Sequence, residues 1–193
     1  LTIAHVRSWG WRLVDEFCWT RPGVPGGWPN RFKNGWEPVF HFAATESIKC
    51  RPDNVLVHSE HVFAYSPDNP TSPSGSGLLG TLDSDRYAHG LARPSNVLAI
   101  AAGGQTSPDH PAAFPVGLPA WFCRAFSDPG DVVFDPFAGS GSTLIAAHQH
   151  GRIGVGVELS PGYVDVALRR MARMTGLTPT LEATGEPFTG DLT

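Results

Sequence analysis

Two glycines and one carboxylate hold the clearest chemistry of this chain. Gly139 and Gly141 lie in the run Asp135-Pro136-Phe137-Ala138-Gly139-Ser140-Gly141-Ser142-Thr143, and Glu158 follows 17 residues after Gly141. A Gly-x-Gly turn lets a ligand approach backbone that a Cβ would shield. A helix opening behind it adds unpaired N–H groups and the positive end of its dipole. A phosphate-binding P-loop would need Lys after its last glycine, but the only lysines are the distant Lys33 and Lys49, so that chemistry is set aside. The dinucleotide pattern G-x-G-x-x-G would need Gly at 144, where the chain has Leu144, which weakens a pyrophosphate site.

What remains suits a nucleoside without a diphosphate: a bare turn, and an acid at the end of the next strand that can accept both ribose hydroxyls. S-adenosylmethionine (SAM) fits this best, with a nicotinamide cofactor as the alternative.

The flanking residues supply the elements that must hold this turn. Asp128-Pro129-Gly130-Asp131 is a turn signal, followed by a short strand at 132–134. A helix is expected over 142–150, stopped by Gly151. Residues 153–159 are almost continuously apolar, as in a strand covered on both faces. A last helix has Ser160 as N-cap, Pro161 at its first position and Gly176 at its end. Tyr163, Ala167, Met171 and Met174 stripe one side of it, and Asp165 is spaced to pair with Arg169.

Upstream, alternating aromatics predict strands at 11–19 and 36–42, with Pro38 confined to a strand start or an edge. A Pro/Gly/Asn-rich loop at 22–35 separates them. Short strand pieces are expected at 55–57 and 61–63, a long Ser/Pro/Gly loop at 66–90, a strand at 96–100 and a helix at 118–126 with Leu118, Phe122, Ala125 and Phe126 on one face. The tail after Leu177 reads as disordered. The expected organisation is therefore strands in 1–65, an insertion at 66–95, the cofactor region at 96–176 and a tail at 177–193.

Composition bounds the rest. A chain of 193 residues, 41% hydrophobic, supports one α/β domain. It carries no run long enough for a membrane span and no opening typical of a signal peptide. Three cysteines without C-x-x-C spacing argue against a disulfide framework or a zinc site and fit a cytoplasmic protein. The net charge of −4 hides a basic first quarter, in which residues 1–52 hold seven Lys/Arg against four Asp/Glu. Arg21, Arg31 and Lys33, interleaved with Trp28, Phe32 and Trp36, form a basic-aromatic loop suited to phosphate contact or base stacking.

The glycine run resembles the SAM motif D-P-F-x-G-S-G-T-T of the DNA N6-adenine/N4-cytosine methyltransferases. His110-Pro111-Ala112-Ala113-Phe114-Pro115 resembles the segment that precedes it in that family and lines the methionine end of SAM. Residues 151–158 with Tyr163 and Ala167 resemble the ribose-binding strand and its helix. Trp19-Thr20-Arg21-Pro22 and residues 34–42 are similar to the family's W-x-K-P and N-x-x-E-x-I-F-x-F segments, with Arg21 where Lys is usual. The likeness covers roughly residues 9–46 and 93–174, in the β-class motif order.

The resemblance implies a Rossmann-like SAM-dependent methyltransferase fold, incomplete at its N-terminal side, acting on double-stranded DNA in a setting such as restriction–modification. It implies cofactor contacts from His110, Phe114, Pro115, Asp135, Phe137, Ala138, Gly139, Ser140, Gly141, Ser142, Thr143 and Glu158. Among these, Phe137 and Ala138 would shape the pocket wall, Asp135 would order the turn, and Ser142 and Thr143 would donate to the cofactor carboxylate or start the helix. DNA contacts are implied for Arg21, Arg31, Lys33 and Trp36.

In the family a flipped base meets a (D/N/S)-P-P-(Y/W) tetrapeptide that holds its exocyclic amine for in-line attack on the methyl sulfonium. This sequence contains no Pro-Pro pair, so no catalytic residue is assigned. The chain is expected to be inactive alone and to act with a separate polypeptide carrying that motif, or to be a non-catalytic SAM- or DNA-binding remnant. A NAD-dependent oxidoreductase is the remaining alternative.

Overall fold

A computed structural model of the protein describes residues 2–20, 29–30, 32–58, 91–101 and 114–190. Helix α1 (Thr2–Ser8) leads through Gly10 into strand β1 (Arg12–Thr20). Strand β2 (Trp36–Ala43) returns antiparallel to β1, from Thr20↔Trp36 to Arg12↔Ala43, with one extra residue, Val14, breaking the register. A 3-10 turn at Pro52–Val55 precedes β3 (Val57–His58), which pairs with β4 (Leu91–Ala92). Strand β5 (Val97–Leu98) then adds parallel to β1, giving the order β2-β1-β5. Pro38 thus lies in an edge strand, where its missing N–H costs no ladder bond.

Alternation at the end of β1 sends Phe17 and Trp19 to one face, where both are buried with Leu98 and Leu118. That face is covered by helix α2 (Gly117–Phe126). The Phe17 ring meets Trp121, Phe122 and Phe126 edge-on at centroid distances of 5.5, 5.2 and 6.1 Å. The buried Trp19 satisfies its indole N–H by donating to the Ile100 carbonyl at 2.9 Å. Burying side chains of this size contributes about 1.5–3 kcal/mol each.

The cofactor region is a second, parallel unit. Strand β6 (Val132–Asp135), helix α3 (Ser142–Gln149) and strand β7 (Ile153–Gly156) form a strand–helix–strand crossover with Val132 opposite Ile153 and Asp135 opposite Gly156. Helix α4 (Pro161–Thr175) follows. Ile145, Ala146 and Ala147 of α3 are fully buried. Glycines on β7 let α3 sit close, since a Cβ on Gly156 would lie 2.9 Å from Ala138 Cβ and 3.1 Å from Leu144 Cδ1. The two units are joined at Arg152, which is buried and donates to Ser127 Oγ and to the carbonyls of Cys123 and Ser127 at the end of α2. Lys49 and Arg51 add ion pairs to Asp128 and Asp131 ahead of β6.

Several expectations need correction. The strand expected at 96–100 shortens to Val97–Leu98, and that at 153–159 to Ile153–Gly156. The second is covered on one face only. Gly154 and Gly156 face α3, so by alternation Val132, Phe134, Ile153 and Val155 share the other face, and all four are exposed. The Asp165–Arg169 pair does not form; Arg169 Nε is buried without a partner. Residues 177–190 are ordered as a turn rather than a disordered tail. An isolated bridge joins Thr180 and Pro187, closed by Gly185 N–H on the Leu181 carbonyl at 2.7 Å. Gly185 supplies the left-handed φ of 71° that the turn requires. The strand piece at 61–63 and the loop at 66–90 lie outside the described residues.

Candidate cofactor site

The turn between β6 and α3 is built by its own hydrogen bonds. Asp135 Oδ1 accepts the Phe137 N–H at 2.9 Å, a local turn that Asp side chains favour, so Asp135 orders the turn as expected. Gly141 N–H donates to the Ala138 carbonyl at 2.8 Å, and Ala138 N–H to the Val157 carbonyl at 2.9 Å. Gly139 and Gly141 have φ of 53° and 79°, which other L-residues reach only with strain. Gly141 has little room besides, because a Cβ there would stand 3.1 Å from Ala167 Cβ on α4. The chain enters α3 with first-turn N–H groups that have no intrahelical partner.

Glu158 closes the turn from behind. Its Oε2 accepts the Gly139 N–H and its Oε1 the Ser160 N–H, both at 2.8 Å. One carboxylate therefore binds the glycine turn to the start of α4. A carboxylate oxygen can accept more than one hydrogen bond, so the arrangement is compatible with a ribose diol. The Gly139 N–H itself is already used inside the protein.

Ser140 and Ser142 are both buried, and their hydroxyls serve the protein. Ser142 Oγ donates to the Phe114 carbonyl at 3.0 Å. A carbonyl only accepts, so the single hydroxyl proton of Ser142 is committed there, and donation to a cofactor carboxylate is not open to it as placed. Thr143 makes no such bond among the described residues and remains the available hydroxyl. Arg170 Nη1, from α4, donates to the Ser140 carbonyl and hydroxyl and reaches Ser142 Oγ at 3.3 Å. Burial holds the Arg170 pKa below the ordinary guanidinium value.

Phe114, Pro115, the turn and Glu158 thus come together. Phe137 is 86% exposed beside the turn, positioned as a wall. Ala138 instead packs inward, its Cβ over the space that Gly156 leaves. His110, Arg21 and Arg31 fall outside the described residues. Lys33 and Trp36 are exposed at the start of β2, and no hydrogen bond or ring contact among the described residues joins either to the turn. Arg170 escaped the sequence reading. Its signal was helical spacing, for it lies three residues after Ala167, the residue against which Gly141 packs.

A parallel strand–glycine turn–helix–strand closed by an acid defines a Rossmann-like α/β cofactor domain, and solved structures place it among the DNA methyltransferases. The PvuII DNA methyltransferase, described as cytosine-N4-specific, superposes with a TM-score of 0.60 at 24% identity, covering 86% of this chain and 53% of that one. The DNA modification methylase TTHA0409 of Thermus thermophilus, solved with S-adenosyl-L-methionine, gives 0.51 at 26% identity, covering 87% and 56%. The chain belongs to the N6/N4 DNA methylase family, whose profile (N6_N4_Mtase, DNA methylase) matches residues 1–169. The type II methyltransferase M.Cfr9I of Citrobacter freundii is 45% identical over 162 residues, 84% of this chain and 45% of that protein. M.PvuII of Proteus hauseri is 31% identical over 187 residues, 84% of this chain and 55% of that protein. The chain spans about half the length of these curated relatives.

Proposed function

We propose that this chain is the SAM-binding part of a site-specific DNA methyltransferase acting on an exocyclic amine, N6 of adenine or N4 of cytosine. The observation that carries the reading is the Glu158 bridge. The acid expected to meet the ribose is built into the glycine turn through Gly139 and into α4 through Ser160. Family membership supports the same chemistry and sets the nicotinamide alternative aside.

SAM, when bound, supplies a methyl group made electrophilic by its sulfonium. The residues here would bind and orient it. Gly139 and Gly141 leave the turn backbone open, and Glu158 offers its carboxylate to the ribose hydroxyls. Thr143 and the first-turn N–H groups of α3 face the anionic end, while Phe114, Pro115 and Phe137 bound the pocket and keep water from it. Lys33 and Trp36, with Arg21 and Arg31, are proposed to meet double-stranded DNA. No helix among the described residues is long and apolar enough to cross a membrane.

A second reading concerns a companion. Holding the target amine belongs to the (D/N/S)-P-P-(Y/W) tetrapeptide, for which these residues offer no counterpart, so transfer is proposed to need a polypeptide that supplies it. The uncovered sheet face favours this: parallel sheets bury both faces, yet Val132, Phe134, Ile153 and Val155 are exposed together. The test is tritiated methyl transfer from SAM to duplex DNA, by the chain alone and with a polypeptide carrying that motif. Transfer only in the second case is expected. Transfer by the chain alone would overturn the need for a companion.

A further inference from the structure

Arg170 has no part in any motif of the sequence, yet it lies directly under the glycine turn. Its Nη1 donates to the Ser140 carbonyl at 2.5 Å and to Ser140 Oγ at 2.7 Å, and stands 3.3 Å from Ser142 Oγ. That nitrogen has two protons, so the two short bonds take them and the Ser142 contact is a weaker, shared one. Ser142 passes the connection on through its own proton to the Phe114 carbonyl, 3.0 Å away. A single guanidinium therefore links α4, both serines of the turn and the segment preceding α2.

Nothing in the packing requires a charge at this position. Arg170 makes no ion pair with a carboxylate among the described residues, and taking a cation partly out of water without a counter-ion is costly. An unbranched apolar side chain would fill the same space without that cost. What the guanidinium adds is direction. Ser140 stands between the two glycines of positive φ, the most permissive backbone in the site, and the peptide plane it opens is rigid. Fixing its carbonyl and hydroxyl fixes the turn between those glycines.

We propose that Arg170 is a positioning residue for cofactor binding. It holds the Ser140 peptide in the conformation that presents the turn, and through Ser142 it keeps Phe114 and Pro115 beside that turn, without touching the ligand. The inference rests on the SAM reading of the site.

The test is isothermal titration of the full chain with S-adenosylhomocysteine at a temperature where every variant is folded. Losing hydrogen bonds from a charged donor should weaken binding about tenfold in Arg170→Met. Arg170→Lys, which keeps the charge and one bond to Ser140, should recover part of that loss. Ser142→Ala should also weaken binding, and the Arg170→Met/Ser142→Ala double variant should be no worse than the poorer single, since both cut one chain of contacts. A merely structural role would lower thermal stability and leave the affinity of the folded protein unchanged. Wild-type affinity in Arg170→Met, or fully additive losses, would overturn the proposal. If Arg170→Met does not fold, Arg170→Lys and Ser142→Ala make the same comparison, and wild-type affinity in both would overturn it.

Failure of the SAM reading is separable. If the wild-type chain does not bind the probe, the positioning claim is judged by amide hydrogen exchange at residues 139–143 without ligand. Exchange about tenfold faster in Arg170→Lys keeps the positioning role, and exchange equal to wild type removes it.

Discussion

Replacing Glu158 by Ala removes two hydrogen bonds at once, those from Gly139 N–H and Ser160 N–H, each 2.8 Å long. A hydrogen bond to a charged group contributes about 1.5–3 kcal/mol. Glu158 is only half-buried, so water can reach the freed N–H groups, and the lower figure applies to each. The sum is about 3 kcal/mol of lost stability, or roughly 6–12 °C in Tm for a chain of this size. Glu158→Gln keeps one acceptor oxygen but turns an amide NH2 toward the second backbone N–H, so it should lose at least half as much. Urea unfolding followed by circular dichroism measures this. Affinity for S-adenosylhomocysteine, read on folded protein, should fall about tenfold or more in Glu158→Ala, because the turn loses its anchor and the ribose loses its acceptor. Unfolding midpoints equal to wild type in both variants would refute the bridge. A lowered midpoint with unchanged affinity would leave Glu158 a structural clamp and remove it from ligand binding.

Other variants probe other parts of the site and fold. Gly141→Ala places a Cβ on a residue with φ of 79°, 3.1 Å from Ala167 Cβ, and should cost about 1–2 kcal/mol or more from backbone strain; an unchanged melting temperature would contradict it. Phe134→Asp should leave the isolated chain within about 0.5 kcal/mol of wild type, since the ring is exposed, while abolishing association with a companion polypeptide in sedimentation; undiminished association would contradict the proposed docking face. Lys49 hydrogen-bonds to Asp131 and Asp128, which raises its own pKa. The Asp128 carboxyl is held low chiefly by Lys49, and that of Asp131 by the Asp128 N–H and then Lys49. Carboxyls depressed in the folded state stabilise it above their unfolded pKa, near ~3.9, and that contribution is lost as pH falls through the folded values. Lys49→Met should therefore flatten the acid limb of stability between neutral pH and about pH 3, as read from urea midpoints; an identical acid limb would contradict the pairing.

Legibility in the sequence followed the range of the forces involved. The β6–α3–β7–α4 unit could be read because its punctuation is local: Gly151 and Gly176 end helices with left-handed φ, and Pro161 begins one. Glu158 was legible as an acid at a strand end, but its two backbone partners were not, since Gly139 lies 19 residues away and no side-chain pattern marks a backbone N–H. The role of Ser142 was misread for the same reason. Its proton goes to Phe114, 28 residues upstream, and only the folded chain brings them together. Arg170 reads locally as one more solvated charge on a helix. Strand β7 carried the apolar signature of two covered faces, and the structure covers one. That signal reported what the strand is suited to bury, which differs from what these residues themselves provide.

Isothermal titration of the wild-type chain with SAM, S-adenosylhomocysteine and NAD bears most directly on the cofactor reading. Saturable binding of SAM and S-adenosylhomocysteine at one site, with no heat from NAD, is the expected result. Tight binding of NAD with none of SAM would contradict it.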